Sequence, residues 1–178
     1  DLVRSRGLGD VYKRQAIYYW NYVRSLLADD DIGFEKRVRK GATDLMNMML
    51  NYGYAILYNR VWQALLGAKL NPFDSIIHCR QIGKPTFVYD MVEIFRAQVV
   101  DRVVITLIQK GVSLRTDHGL LDTDTRRQLS QAILDRLNRY ETYRGEEITL
   151  EDIIRRQMDE IARFIEKDIK YKPYIAKW

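Results

Sequence analysis

The sequence lacks the features on which several classes of protein depend. It contains a single cysteine, Cys79, which excludes a disulfide framework within the chain and agrees with a reducing compartment. No apolar run approaches the roughly 18–20 residues that a membrane span requires, so no membrane partner is expected. Residues 1–15 contain no apolar core of a signal peptide. We therefore expect a cytoplasmic protein.

The composition is typical of a globular protein with one domain. Hydrophobic residues make up 47% and charged residues 30% of a chain of 178 residues, which is long enough to bury a core. Apolar residues recur at helical spacing, and no stretch has the convincing pattern of a strand. The predicted fold class is all-α, a multi-helix bundle. Its helices are predicted over residues 16–28, 43–66, 86–110, 125–143 and 150–168.

Three of these helices begin beside residues whose side chains cap helix N-termini. The cap candidates are Thr43 or Asp44 for the second helix, Thr123 or Asp124 for the fourth, and Thr149 with Asp152 for the last. Each predicted start therefore has a local chemical cause as well as an apolar period.

Residues 1–15 differ from the rest of the chain. They have neither an apolar period nor a cap, and they join abruptly to the helix predicted from Ala16. The segment is similar to translated sequencing-adapter read-through, so we predict that it is non-native and does not pack as part of the domain at 16–178. Without its four bases and two acids the net charge falls from +5 to +3. The placement of the charges therefore matters more than their total.

Candidate metal-binding side chains lie in residues 78–96. His78 precedes a short turn, and the long apolar helix that follows carries Asp90 and Glu93 in its first turns. These acids are three positions apart and therefore share one face of the helix, on the same stripe as Asp101. A loop histidine and carboxylates from a helical turn can hold a divalent cation. Alternatively, the two acids only complement the positive end of the helix.

Two residues interrupt the apolar helix predicted over 43–66. Gly53 implies close contact with another helix, because glycine otherwise destabilises a helix interior. Asn51 implies a buried hydrogen bond or a role in the site. We expect Asn51 to line the same pocket as the metal-binding candidates.

Basic residues cluster between the first two predicted helices. Lys36, Arg37, Arg39 and Lys40 fall within five positions, and such a loop can neutralise the phosphates of a nucleic acid. An ordinary solvated loop is the alternative interpretation.

Several motifs around these candidates occur in a fixed order. They are LNYGYAIL at 50–57, NPFDSIIH at 71–78, GKP at 83–85, YDMVEIFR at 89–96 and KPYIAKW at 172–178. Together they closely resemble the catalytic domain of the CRISPR-associated spacer-acquisition integrase, the universal adaptation nuclease. The last motif is similar to that of members fused to or encoded beside a reverse transcriptase. The resemblance extends from about residue 16 to residue 178.

The resemblance implies a site that depends on Mg²⁺ or Mn²⁺. The metal ligands of the family are a glutamate on the first helix, a histidine, and an acid on a later helix. His78 matches the histidine, Glu93 matches the acid, and Asp90 matches a neighbouring acid that supports it, so we expect these side chains in one pocket. The glutamate is expected near position 12, where this chain has Tyr12 within the segment 1–15. We therefore expect this chain to lack one ligand and to have impaired activity.

The resemblance also implies contacts with the DNA backbone that do not depend on base sequence. The residues expected to make them are Lys84, Arg80 and Arg96 beside the site, together with Arg37, Arg39 and Lys40 of the basic loop.

The function that the resemblance implies is insertion of captured DNA at the CRISPR repeat array by a metal-dependent endonuclease and integrase. The implied partners are prespacer and repeat-array DNA, a second copy bound through an N-terminal β domain that this chain lacks, a small adaptation subunit, and in some members a reverse transcriptase. The alternative function is a non-catalytic helical module for DNA binding or assembly, which would use the basic loop and no metal.

Overall fold

The structure is a computed structural model that describes residues 2–30, 32–74, 82–167 and 170–176. Its helices are α1 (Leu2–Leu26), α2 (Leu45–Gly67), α3 (Thr86–Arg96), α4 (Arg102–Gln109), α5 (Thr123–Leu137) and α6 (Leu150–Lys167). This arrangement confirms the predicted all-α class. In these described ranges, no helix is both long enough and apolar enough to cross a membrane.

Helix α2 forms the centre of the fold. It packs against α3, α5 and α6, and its apolar residues point to more than one side, as expected of a helix surrounded by others. Its fully buried apolar side chains are Met46, Met49, Leu50, Leu57, Val61 and Leu65. The side chain of Asp44 accepts a hydrogen bond from the backbone N–H of Asn47, which confirms one of the two predicted caps of this helix.

The long helix predicted over 86–110 contains a change of geometry. A π-helical turn, Ala97–Asp101, separates α3 from α4. A π-helical turn holds more residues than an α-helical one, so it changes the angle between side chains on either side of it. The periodicity of the sequence contains no sign of this turn.

Two short antiparallel hairpins correct the expectation that the chain has no strands. Strands β1 (Thr116–Asp117) and β2 (Leu120–Leu121) form one, and β3 (Tyr140–Tyr143) and β4 (Glu146–Thr149) form the other. Both are closed by two-residue turns whose φ angles are positive, His118-Gly119 at 48° and 76° and Arg144-Gly145 at 52° and 87°. Positive φ at both positions is the geometry that matches the twist of paired strands. The X-Gly dipeptides were the signal for these turns.

Helix boundaries differ from the predictions at three places. Helix α1 begins at Leu2, so the helix extends back through most of residues 1–15. Side chains before residue 14 lie outside the description, so the non-native origin of that segment and its lack of packing on the domain both stay predictions. Helix α5 ends at Leu137 rather than 143, because the chain enters β3, and its cap is Asp122 rather than either predicted residue. Thr149 accepts a hydrogen bond from the N–H of Asp152, as predicted for the start of α6.

The segment after α6 returns to the core. The side-chain oxygen of Gln157 accepts hydrogen bonds from the hydroxyl of Tyr171 at 2.6 Å and from the N–H of Tyr174 at 2.8 Å. The ring of Tyr174 stacks on Phe95 of α3, with 5.8 Å between centroids. Tyr174, which belongs to the motif at 172–178, therefore packs against α3, the helix that carries Glu93.

Gly53 lies where α2 passes closest to its neighbours. A Cβ at this position would lie 2.6 Å from a methyl carbon of Val100 and 3.0 Å from one of Ile133. This close approach confirms the helix contact predicted from the sequence. No atom would lie within 4 Å of a Cβ at Gly67, near the end of the same helix.

We predict that Gly53→Ala lowers the free energy of unfolding by about 1–3 kcal/mol, because the added methyl group overpacks the core. Gly67→Ala is the matched control and should leave stability unchanged or slightly higher, since alanine favours the helix. Urea unfolding followed by circular dichroism measures both. Equal effects of the two substitutions would contradict the close packing at Gly53.

Candidate active-site pocket

A pocket of about 400 Å³ opens where α1, the basic loop, α2 and α3 meet. The residues that line it are Gln15, Ala16, Tyr19, Trp20, Arg37, Arg39, Tyr54, Glu93, Arg96, Ala97 and Asp101. The wall is therefore assembled from distant parts of the chain, and it contains three guanidinium groups and two carboxylates.

Asp101, at the end of the π-helical turn, forms the base of the pocket. It is 3% exposed. The hydroxyl of Tyr19 donates to its Oδ2 at 2.7 Å, and the hydroxyl of Tyr54 donates to its Oδ1 at 2.5 Å. Burial raises the pKa of Asp101, while the two tyrosine hydrogen bonds and the charges of Arg96 and Arg37 act in the opposite direction. Burial, followed by the nearby Asp101, raises the pKa of both tyrosines, which therefore remain protonated donors.

Two arginines lie against the ring of Tyr54. The guanidinium carbon of Arg37 is 5.2 Å from the ring centroid and that of Arg96 is 4.9 Å from it. Both distances are within the range of a cation–π contact. Arg96 also forms an ion pair with Glu93 at 2.5 Å. The side chain of Glu93 is 50% exposed, so this carboxylate is accessible from solvent.

Asparagines of α2 hold the basic loop against the pocket. Asn47 accepts hydrogen bonds from the guanidinium of Arg37 at 2.9 Å and from the N–H of Val38 at 2.8 Å. Asn51 accepts from Arg37 at 2.5 Å and donates to the carbonyl oxygen of Arg39 at 2.9 Å. Asn51 thus makes hydrogen bonds, but it is half-buried rather than buried, and it is not among the residues that line the pocket as the sequence had predicted. The described segment 36–39 is therefore fixed on α2 rather than solvated throughout.

The structure brings together some of the predicted site residues and separates others. Glu93, Arg96, Arg37 and Arg39 line the pocket. Asp90 lies one turn before Glu93, is 2% exposed, and is not among the lining residues. Lys84 and Lys40 are exposed and lie outside the lining set. His78 and Arg80 lie outside the described residues, so the predicted approach of His78 to Glu93 stays a prediction.

Three hydrogen-bonded lining residues, Asp101, Tyr19 and Tyr54, are among those that were not predicted as site residues. Asp101 fell on the acidic stripe of its helix, which was the available signal for it. Tyr19 and Tyr54 had no comparable signal, because each is one of many aromatic residues at helical spacing. Their role is apparent only from their contacts with Asp101.

Comparison with known proteins assigns the family. The sequence model of the family described as CRISPR associated protein Cas1 matches residues 9–135 of this chain. The chain belongs to the Cas1 family. It is 35% identical over 164 residues to a CRISPR-associated endonuclease Cas1 of Francisella tularensis subsp. novicida, which covers 90% of this chain and 50% of that protein. It is 32% identical over 190 residues to one of Archaeoglobus fulgidus, covering 100% of this chain and 54% of that protein.

Solved structures agree with this assignment. A casposase bound to an integration product matches with a TM-score of 0.82 and 25% identity, covering 93% of this chain and 49% of that chain. A Cas1 protein from Thermotoga maritima matches with a TM-score of 0.78 and 18% identity, covering 85% of this chain and 50% of that chain. A partial Cas6-RT-Cas1–Cas2 complex matches with a TM-score of 0.64 and 23% identity, covering 77% of this chain and 43% of that chain. The last two structures show only that the fold is shared. The chain spans about half the length of the curated relatives that it matches.

The oxygen donors of the pocket are of the kind that a hard divalent cation prefers. Glu93 presents an accessible carboxylate, whereas both oxygens of Asp101 already accept tyrosine hydroxyls. Among the described residues, no three histidine, cysteine or acidic side chains form a cluster that could hold a metal. Of the two carboxylates that line the pocket, Glu93 is the one accessible from solvent, and it is paired with Arg96.

We predict that Asp101 makes the stability of the protein depend on pH. Because the folded state raises the pKa of this carboxyl above its ordinary value of 3.8, the folded protein binds a proton more readily than the unfolded one. The free energy of unfolding should therefore fall as the pH rises from about 4 through the folded-state pKa, by roughly 1.4 kcal/mol for each unit of difference in pKa.

Asp101→Asn removes this titration, so the stability of the variant relative to wild type should increase across the same pH range. Asp159→Asn, an exposed position of α6, is the control and should show no such trend. Urea unfolding at pH values from 4 to 8 measures the difference. Parallel stability curves for wild type and Asp101→Asn would contradict the prediction.

Proposed function

We propose that this chain is the catalytic half of a DNA endonuclease and integrase of CRISPR adaptation. The observation that supports this function is the pocket in which Glu93 and Arg96 lie beside Arg37 and Arg39. Its three guanidiniums suit a phosphodiester, since arginine binds phosphate oxygens through paired hydrogen bonds. The named activities of the relatives are nuclease activities, in agreement with a phosphodiester substrate.

In the proposed reaction, the 3′ hydroxyl of captured DNA loses its proton and its oxygen attacks a phosphodiester at the edge of a repeat, while the 3′ oxygen of the cut strand leaves and takes up a proton. One P–O bond forms as another breaks, so the reaction is a transesterification. Arg96 and Arg37 bind the non-bridging oxygens and stabilise the charge that develops on them. Arg39 contacts a neighbouring phosphate and fixes the register of the backbone without selecting a base.

We further propose that His78 and Glu93 hold Mg²⁺ or Mn²⁺, with Asp90 supporting them. When bound, such an ion polarises the phosphoryl group and stabilises the leaving oxygen. Glu93 must first separate from Arg96, and that guanidinium is then released toward the phosphate. The first ligand of the family is a glutamate expected at position 12, where this chain has tyrosine. With one ligand missing, the chain as it stands should cut and integrate poorly.

The proposed partners follow the relatives. A casposase is known bound to an integration product, and complexes are known that contain Cas6, a reverse transcriptase, Cas1 and Cas2. By analogy, this chain would act on prespacer and repeat-array DNA with a small adaptation subunit and a reverse transcriptase. A second copy would join through the N-terminal β domain of longer relatives.

One observation favours the alternative of a DNA-binding module without catalysis. The ion pair between Arg96 and Glu93 neutralises the accessible carboxylate at 2.5 Å. In that state the pocket contains two further guanidiniums and binds phosphate without any cation. Metal dependence of DNA cleavage distinguishes the two functions.

We predict that the protein with an authentic N-terminal region, including a glutamate at the position of Tyr12, cleaves branched DNA in Mn²⁺ and is inactive in chelator. His78→Ala and Glu93→Gln in that protein should each lower the rate by at least about 100-fold, because each removes a donor to the cation. Glu166→Gln, an exposed position of α6, is the matched control and should retain full activity. The 178-residue chain should cleave poorly under the same conditions.

Two outcomes would contradict this proposal. Strong Mn²⁺-dependent cleavage by the 178-residue chain would show that the first ligand has been assigned to the wrong position. Activity of the restored protein that survives both His78→Ala and Glu93→Gln would show that the metal site lies elsewhere. DNA binding that is equal in Mn²⁺ and in chelator, with no cleavage in either, would support the non-catalytic module.

A further inference from the structure

A continuous series of contacts connects the buried Asp101 to the two arginines at the pocket surface. The carboxylate accepts the hydroxyl of Tyr54 at 2.5 Å. The ring of that tyrosine then carries the guanidiniums of Arg37 and Arg96, 5.2 Å and 4.9 Å from its centroid. The hydroxyl and the ring belong to one rigid group, so restraining one restrains the other.

Asp101 is placed to act through this tyrosine rather than on a ligand. It is 3% exposed, and its two oxygens already accept hydrogen bonds from Tyr54 and Tyr19. A group bound in the pocket would therefore meet the arginines before it could meet this carboxylate. The π-helical turn that ends at Asp101 sets its direction relative to Glu93 and Arg96, and such turns are frequent at functional sites.

Arg96 depends on the tyrosine ring for its orientation. Its Nε is buried and has no hydrogen-bond partner. The guanidinium forms an ion pair with Glu93, lies against the face of Tyr54 and is attracted by the charge of Asp101. When Glu93 turns to a cation, the ring and the charge behind it keep Arg96 directed at a phosphate.

We infer that Asp101 is a positioning residue that fixes the ring of Tyr54 and thereby holds Arg37 and Arg96 together for one phosphodiester group. This inference rests on the proposed function insofar as the bound group is DNA. If Asp101 only stabilised the fold, its loss would lower stability without specifically releasing the two arginines. The two possibilities therefore predict different measurements.

The first experiment measures binding to branched DNA in chelator over a series of NaCl concentrations, with the 178-residue chain and all its variants carrying Glu93→Gln so that the ion pair with Glu93 no longer holds Arg96. Tyr54→Phe removes the hydroxyl but keeps the ring, and it should weaken binding about 5–20-fold. The slope of log Kd against log salt should fall by about one to two, since each lost phosphate contact in a duplex contributes roughly 0.9. In the Arg37→Gln, Arg96→Gln double variant, adding Tyr54→Phe should change Kd less than about twofold, because the groups it positions are gone.

Tyr143→Phe is the matched control. Tyr143 also donates its hydroxyl to a carboxylate, that of Glu160 at 2.9 Å, and Arg144 lies 5.0 Å from its ring centroid. The chemistry is thus the same as at Tyr54, but neither Tyr143 nor Arg144 lines the pocket. This variant should leave both the affinity and the salt dependence unchanged. Thermal unfolding confirms that each variant is folded.

The second experiment needs no DNA. In nitrogen-15 NMR spectra, the Nε–H signals of Arg37 and Arg96 should be displaced from those of free arginine by the ring of Tyr54. Tyr54→Phe and Asp101→Ala should move both signals toward the values of free arginine. Asp101→Asn should move them less, because the amide keeps one hydrogen-bond acceptor. Tyr143→Phe should move neither signal.

The outcomes separate the inference from the proposed function. Wild-type chain that binds no DNA would contradict the proposed function, while the NMR signals would still decide the inference. Signals of Arg37 and Arg96 that do not respond to Tyr54→Phe or Asp101→Ala would overturn the inference. So would an effect of Tyr54→Phe on DNA binding that adds fully to that of the double arginine variant.

Discussion

The burial of one carboxylate, that of Asp101, is the constraint on which the pocket depends. A buried acid must be hydrogen-bonded or neutralised, because transfer of an isolated charge out of water is strongly unfavourable. Here Tyr19 of α1 and Tyr54 of α2 supply the hydrogen bonds, across 82 and 47 positions of sequence. Three elements of the chain thus meet at one point, and the pocket is the space that remains above it.

Helix α2 links stability to function in this arrangement. One of its faces approaches Val100 and Ile133 so closely that only glycine fits at position 53. The next residue, Tyr54, points to the pocket, and Asn47 and Asn51 hold the basic loop. Packing in the core therefore sets where Tyr54 and the loop arginines lie, and small shifts of this helix would change the distance between Arg37 and Arg96.

Neighbouring side chains hold two of the arginines of the pocket. Arg96 pairs with Glu93, while Arg37 contacts Asn47, Asn51 and the ring of Tyr54. In the proposed function, a divalent cation on the carboxylate of Glu93 and a phosphate on the guanidiniums would satisfy the same groups. Opposite charges held close together on rigid helices are a suitable environment for a phosphodiester whose charge increases during reaction.

The sequence by itself determined the features that depend on local chemistry. Helical periodicity predicted the all-α class and most helix positions, Asp44 and Thr149 marked helix starts, and the candidates Glu93 and Arg96 followed from ordered motifs. The hairpin turns are local as well, since His118-Gly119 and Arg144-Gly145 place a glycine where positive φ is required, but strands this short show no alternation of their own. Only the tertiary structure decided that Asp101 meets Tyr19 and Tyr54 and that Asp90 is buried away from the pocket lining. Such contacts join residues far apart in the chain, and they exist only after packing has fixed both the distance between helices and the π-helical change of direction between α3 and α4.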